Sequence, residues 1–114
     1  MKYIIAVIRP DRLEEVKRML ENSEIGMMTV SEVVGCGRQR GGTRPCGGGE
    51  GGDGLKRKIK LEIAVGDVLV EPAIEAITRG ARTGNIGDGK IFVFDLEESV
   101  RIRTGERGGR AVAS

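Results

Sequence analysis

Three observations predict an α+β fold built on a four-stranded antiparallel sheet. Segments of strand period and helix period follow one another as strand, helix, strand, strand, helix, strand. Each helical segment carries a single apolar stripe. The first and last long strands are apolar on both faces.

Residues 2–8 begin the pattern: Tyr3-Ile4-Ile5-Ala6-Val7-Ile8 is β-branched and apolar at odd and even positions alike, as in a strand covered on both sides. Pro10 ends it. Asp11 and Glu14 stand at capping-box spacing, and Leu13, Val16, Met19 and Leu20 share one stripe, so residues 11–21 are expected as an amphipathic helix. Residues 27–36 and 58–65 alternate as two further strands, expected to pair as a long hairpin. Between them, residues 37–54 are about half glycine, with too little to bury to be ordered alone. A second helix is expected over residues 69–81, with Pro72 in its first turn, Leu69, Ala73, Ala76 and Ile77 facing inward, and Gly80 near its end. Lys90-Ile91-Phe92-Val93-Phe94 is the last long strand, and residues 100–103 a short extended piece before a polar tail.

This order is the ferredoxin-like βαββαβ, or split βαβ, arrangement, whose helices cover one sheet face only. Strands apolar on both faces therefore need a second cover, and in a chain of 114 residues the expected cover is another copy of the chain.

Composition narrows the function. The length suits one domain, in which about two thirds of the unfolded surface can be buried. One Tyr, two Phe and no Trp require an aliphatic core and leave few rings for base stacking. A formal charge of +2 lacks the excess of a dedicated nucleic-acid binder, although Arg107-Gly108-Gly109-Arg110, Arg40-Gly41-Gly42 and Lys56-Arg57-Lys58 keep such a module as a remote alternative. No run approaches the ~18 apolar residues of a membrane helix, and the apolar start shows no signal-like cleavage site, so a cytoplasmic protein without membrane insertion is expected. Cys36 and Cys46, with no His in the chain, make neither a disulfide framework nor a zinc site, and free thiols are the default expectation. No His, activated Ser or convincingly paired carboxylates supply a general base, so an enzyme of fast turnover is not expected.

The chemistry concentrates in Thr83-Gly84-Asn85-Ile86-Gly87-Asp88-Gly89-Lys90. Three glycines let backbone amides converge on an anion, and Lys90 adds a point charge. The run satisfies G-x-x-x-x-G-K, but Ile91 stands where a Walker A loop needs Ser or Thr for magnesium, and here a helix leads in and a strand leads out. On this run alone, a phosphate cradle and a glycine-rich turn with an incidental lysine stay equally open. Arg38, Lys58, Arg101 and Arg103 are cations that the proposed fold brings toward the ends of neighbouring strands, which adds modest support.

Residues 81–93, Ala-Arg-Thr-Gly-Asn-Ile-Gly-Asp-Gly-Lys-Ile-Phe-Val, followed by Arg101-Ile102-Arg103-Thr104-Gly105-Glu106, resemble the C-terminal signature of the P-II nitrogen-regulatory signal-transduction family. Val34-Gly35-Cys36-Gly37-Arg38-Gln39-Arg40-Gly41 is similar to the start of that family's long T-loop, and residues 58–63 to the strand leaving it. The resemblance covers essentially the whole chain, as a single domain over residues 1–114 with a flexible T-loop at 37–54, a phosphate-binding B-loop at 82–90 and a C-terminal loop and tail at 101–114. It implies a homotrimer with ATP or ADP in three intersubunit clefts. Gly87, Asp88, Gly89 and Lys90 would hold phosphates with Gly37 and Arg38, and Arg101 and Arg103 would reach in from the adjacent subunit. Gly35, Glu62, Ile63 and Ala64 would line the adenine pocket, with Thr29 at its edge. Mg²⁺ bound with ATP through Gln39, and 2-oxoglutarate held by Gln39 and Lys58, are further implications. The implied partner is a regulated enzyme, transporter or regulator of nitrogen metabolism contacted by the T-loop; the alternative is a paralogue serving inorganic-carbon or bicarbonate metabolism with ADP or AMP as main ligand. The loop departs from the family at three positions. Gly51 and Gly49 replace the modified Tyr and Ser, and Gly47 replaces the arginine that plugs an ammonium channel, so those modifications and that plug are not expected here.

Overall fold

Strand β1 (Lys2–Ile8) lies inside the sheet, as its apolar faces require, flanked by two antiparallel neighbours. A computed structural model describes residues 1–36 and 55–113 of the chain. The element order is β1, α1 (Leu13–Asn22), β2 (Thr29–Cys36), β3 (Leu55–Val65), α2 (Val70–Ala81), β4 (Gly89–Asp95) and a short α3 (Gly109–Val112). The four strands lie in the order β2-β3-β1-β4 and every pairing is antiparallel, as the split βαβ pattern predicts.

The core is aliphatic. Ile4, Ala6 and Ile8 of β1 and Ile59, Leu61, Ile63 and Val65 of β3 meet Val16 and Leu20 of α1 and Ala73, Ala76, Ile77 and Ala81 of α2. Each fully buried Ile or Leu contributes about 1.5–3 kcal/mol by leaving water. The two helices cross closely at Gly80, where a Cβ would stand 2.7 Å from the Cα of Val16. That contact explains a glycine inside a helix, where it ordinarily weakens the helix by up to about 1 kcal/mol.

The register places the other side chains. Opposite the helices, the uncovered face carries Tyr3, Ile5 and Val7 of β1 beside Phe92 and Phe94 of β4, which are 46% and 51% exposed. Tyr3, expected in a buried strand, is half-buried on this face and donates its hydroxyl to Glu62 at 2.9 Å.

Several expectations are corrected. Asp11 and Glu14 form no capping box: Pro10–Arg12 is a 3₁₀ turn, and α1 starts at Leu13 without a side-chain cap, because Pro10 presets a tight turn first. Strand β2 starts two residues later than expected, and β3 starts three earlier because the hairpin register runs out to Cys36 and Leu55. Residues 100–103 are not an extended piece; Val100 bridges Arg107 across a tight turn, and the tail ends in α3. Cys36 is disulfide-bonded rather than a free thiol. Cys46 and the whole expected T-loop, including Gly37, Arg38, Gln39, Gly47, Gly49 and Gly51, lie outside the described residues.

Candidate functional site

The site grows out of the sheet register at one end. Ile8 pairs with Ile59 on one side and Gly89 on the other, so the next row beyond β1 is Lys58, Arg9 and Asp88. Side chains alternate along strands, which puts Lys58, Lys60 and Lys90 on the uncovered face. Several cations thus gather where the αβ connection of residues 82–88 arrives.

That connection is held from three directions. Lys58 donates Nζ to the carbonyl of Gly87 at 2.7 Å. Arg9 donates to the carbonyl of Ile86 at 2.6 Å and, through Nε, to Asp88 at 3.0 Å. Asp88 accepts the backbone amides of Thr83 at 2.7 Å and Gly84 at 2.8 Å, and the Thr83 hydroxyl as well. The Thr83 hydroxyl, then the Thr83 amide, with help from Arg9 and the Gly84 amide, hold the Asp88 carboxyl well below its ordinary range.

Two positions in the loop require glycine, Gly89 on steric grounds and Gly87 by its backbone conformation. Gly89 has φ +112°, and a Cβ there would lie 1.8 Å from the carbonyl oxygen of Val7. Gly87 has φ +102°, and a Cβ would press on the Arg9 guanidinium at 3.1 Å. Both glycines therefore let the loop pack closely, Gly89 against the Val7 carbonyl and Gly87 against the Arg9 guanidinium, without side chains of their own to cover the neighbouring amides.

The remaining residues singled out from the sequence divide into three sets. Thr29 and Glu62 face each other in the β2–β3 register, and Gly35 and Ala64 stand on the same uncovered face. Ile63 is 2% exposed and its side chain belongs to the core, which leaves only its backbone for any contact outside it. Arg101 is turned into its own tail, 3.5 Å from Glu106 and donating to the carbonyls of Arg110 and Ala111, while Arg103 is exposed. Both were expected to serve an adjacent subunit, and within the single chain neither is placed by β1, β3 or β4. Gly37, Arg38 and Gln39 lie outside the described residues.

Sequence reasoning missed Arg9 and Thr83. Arg9 was legible in principle, because pairing the first strand with the last carries the residue after Ile8 to the loop before Gly89. Two clefts accompany this end and the opposite one. One, of about 370 Å³, lies behind the loop among Ile8, Ile77, Ala81, Arg82, Gly89 and Ile91. The other, of about 400 Å³, is bounded by Met27, Ala64 and the tail residues Val112 and Ala113. Asp88 and Lys90 border the first of these clefts as well as the loop.

An antiparallel split βαβ sheet with helices on one face and a glycine-rich, cation-flanked loop at one end defines a ferredoxin-like protein. The family model described as "Nitrogen regulatory protein P-II" matches residues 1–106. The nitrogen regulatory protein P-II of Rhodospirillum rubrum is 51% identical over 112 residues, 98% of this chain and 100% of that protein. The nitrogen regulatory protein GlnK1 of Methanosarcina mazei is 50% identical over 98% of this chain and 97% of its own length. Among solved structures, Arabidopsis thaliana PII bound to citrate superimposes with a TM-score of 0.81 at 38% identity, covering 99% of this chain and 90% of that one. The chain belongs to the P-II family of regulatory signal-transduction proteins.

Proposed function

We propose that the protein senses adenine nucleotide on the uncovered face of its sheet and signals the occupied state to a nitrogen-metabolism partner through residues 37–54. The observation that carries this reading is a glycine-rich loop held by Lys58 and Arg9 and followed by Lys90, in which the amides of Ile86 and Gly87 have no hydrogen-bond partner among the described residues. Such a loop receives a polyphosphate by amide hydrogen bonds and point charges without a dedicated side-chain cage. Lys90 would neutralise phosphate charge, and the backbone of residues 62–64, beside Thr29, would accept the flat base. Magnesium, held with ATP, would supply charge neutralisation between phosphates, and Gln39 is the residue proposed to take part.

A trimer completes the site in this reading. The uncovered face presents Ile5, Val7, Phe92 and Phe94, which a second copy would cover, while the adjacent subunit would bring Arg101 and Arg103. Nitrogen regulation is the role named for the relatives at about half identity. The citrate in the Arabidopsis structure belongs to that protein; a carboxylate there supports testing 2-oxoglutarate at Lys58 here.

Calorimetry decides the matter. The expected outcome is binding of ADP and of ATP with Mg²⁺ to the wild-type protein. Lys90→Ala should weaken both by about 10-fold or more, as for a lost charge-assisted contact. No heat from either nucleotide, or an unaltered isotherm for Lys90→Ala, overturns the reading. Titrating AMP in parallel, with and without 2-oxoglutarate or bicarbonate, separates nitrogen sensing from carbon sensing.

A further inference from the structure

We propose that Asp88 is a positioning residue rather than a ligand of nucleotide or metal: its carboxylate clasps the loop into its receiving shape before anything binds. The inference rests on the anion-binding reading above. Its basis is saturation. A carboxylate offers about four acceptor sites, and the structure fills four. Oδ2 takes the amides of Thr83 and Gly84 at 2.7 and 2.8 Å, while Oδ1 takes the Thr83 hydroxyl and Arg9 Nε, the latter at 3.0 Å. With both oxygens engaged twice, no lone pair remains for a magnesium ion.

The clasp joins three elements. Thr83 follows the C-terminus of α2, Asp88 precedes β4, and Arg9 leaves β1. Thr83 relays the restraint, because its Oγ1 also accepts the amide of Asn85 at 3.2 Å. Arg9 in turn holds the Ile86 carbonyl, so the loop's carbonyls are drawn toward cations and its early amides toward Asp88. Among the described residues, no hydrogen bond reaches the amides of Ile86 and Gly87, the two nearest the bared turn. Holding these donors in place beforehand spares a ligand the ordering of a glycine-rich segment.

Asparagine cannot substitute. Its amide nitrogen would face either the two backbone amides or Arg9 Nε, setting donor against donor, and in the second case the Thr83 hydroxyl would have to turn from donor to acceptor. We therefore expect Asp88→Asn to weaken magnesium-free ADP by about 10- to 100-fold in calorimetry. Thr83→Val should weaken it by about 10-fold, and Thr83→Ser, which keeps the hydroxyl, should restore wild-type affinity. The double variant Asp88→Asn/Thr83→Val should bind no more weakly than Asp88→Asn alone, since both remove one unit. The serine rescue and the non-additivity distinguish positioning from general destabilisation, and Thr83→Val serves if Asp88→Asn does not fold. Asp88→Asn binding ADP within about twofold of wild type, or Thr83→Ser binding as weakly as Thr83→Val, overturns the clasp alone. A wild-type protein that ignores ADP overturns the nucleotide reading and this role with it.

Discussion

Asp88 and Gly89 are neighbours with opposite reasons for being what they are. Gly89 is dictated by space: any Cβ would collide with the Val7 carbonyl, and the backbone there is left-handed. Gly89→Ala should lower unfolding stability by at least about 2 kcal/mol, measurable by urea denaturation. It should also displace the loop, because the collision falls on backbone that cannot yield. Asp88 is dictated by charge and donors. Its carboxyl is held below the ordinary value of about 3.9, chiefly by Thr83. A group depressed on folding contributes stability that is fully present above its unfolded pKa and is lost as pH falls through its folded one. The stability advantage of wild type over Asp88→Asn should therefore be constant from neutral pH down to about pH 4 and shrink below it. Thermal melts across that range check the sign; an advantage that grows in acid would contradict it.

At the scale of elements, the hairpin β2–β3 and the helix pair do different work. The helices bury the aliphatic stripe and meet at Gly80, so Gly80→Ala should overpack the crossing against Val16 and cost about 1–3 kcal/mol. Denaturant midpoints would show this, with nucleotide affinity little changed, because Gly80 is buried against α1. The strands set the charged row at one end of the sheet. Antiparallel pairing carries Lys58, Arg9 and Asp88 into one line from positions far apart in the chain. A register slip of one residue would turn Lys58, Lys60 and Lys90 toward the core, so the hydrophobic pattern that secures the register also secures the cations.

At the scale of the whole molecule, one face of the sheet is finished and the other is not. Phe92 and Phe94 lie half-exposed beside Ile5 and Tyr3, an apolar surface of the kind that subunit contacts cover. Sedimentation of the wild type should give a trimer. Phe92→Asp with Phe94→Asp should give a folded monomer, and under the proposed function, in which a neighbour brings Arg101 and Arg103, nucleotide binding should weaken with it. A trimer that survives both substitutions would remove this face from the interface.

Most of the architecture could be read from the chain because it depends on period and composition. The two-faced strand at residues 2–8, the stripes of Val16 and Leu20 and of Ala73 and Ile77, and the bare run Gly87-Asp88-Gly89 each announce their local structure through short-range chemistry. The tertiary structure alone decided which groups meet. That Arg9 reaches Asp88, that Thr83 closes the clasp, that Gly80 admits Val16 and that Cys36 is bonded all depend on contacts between parts of the chain that local pattern does not relate. Periodicity determines which way a side chain points, because it follows from backbone geometry. The partner a side chain finds follows from register and packing, which only the folded chain specifies.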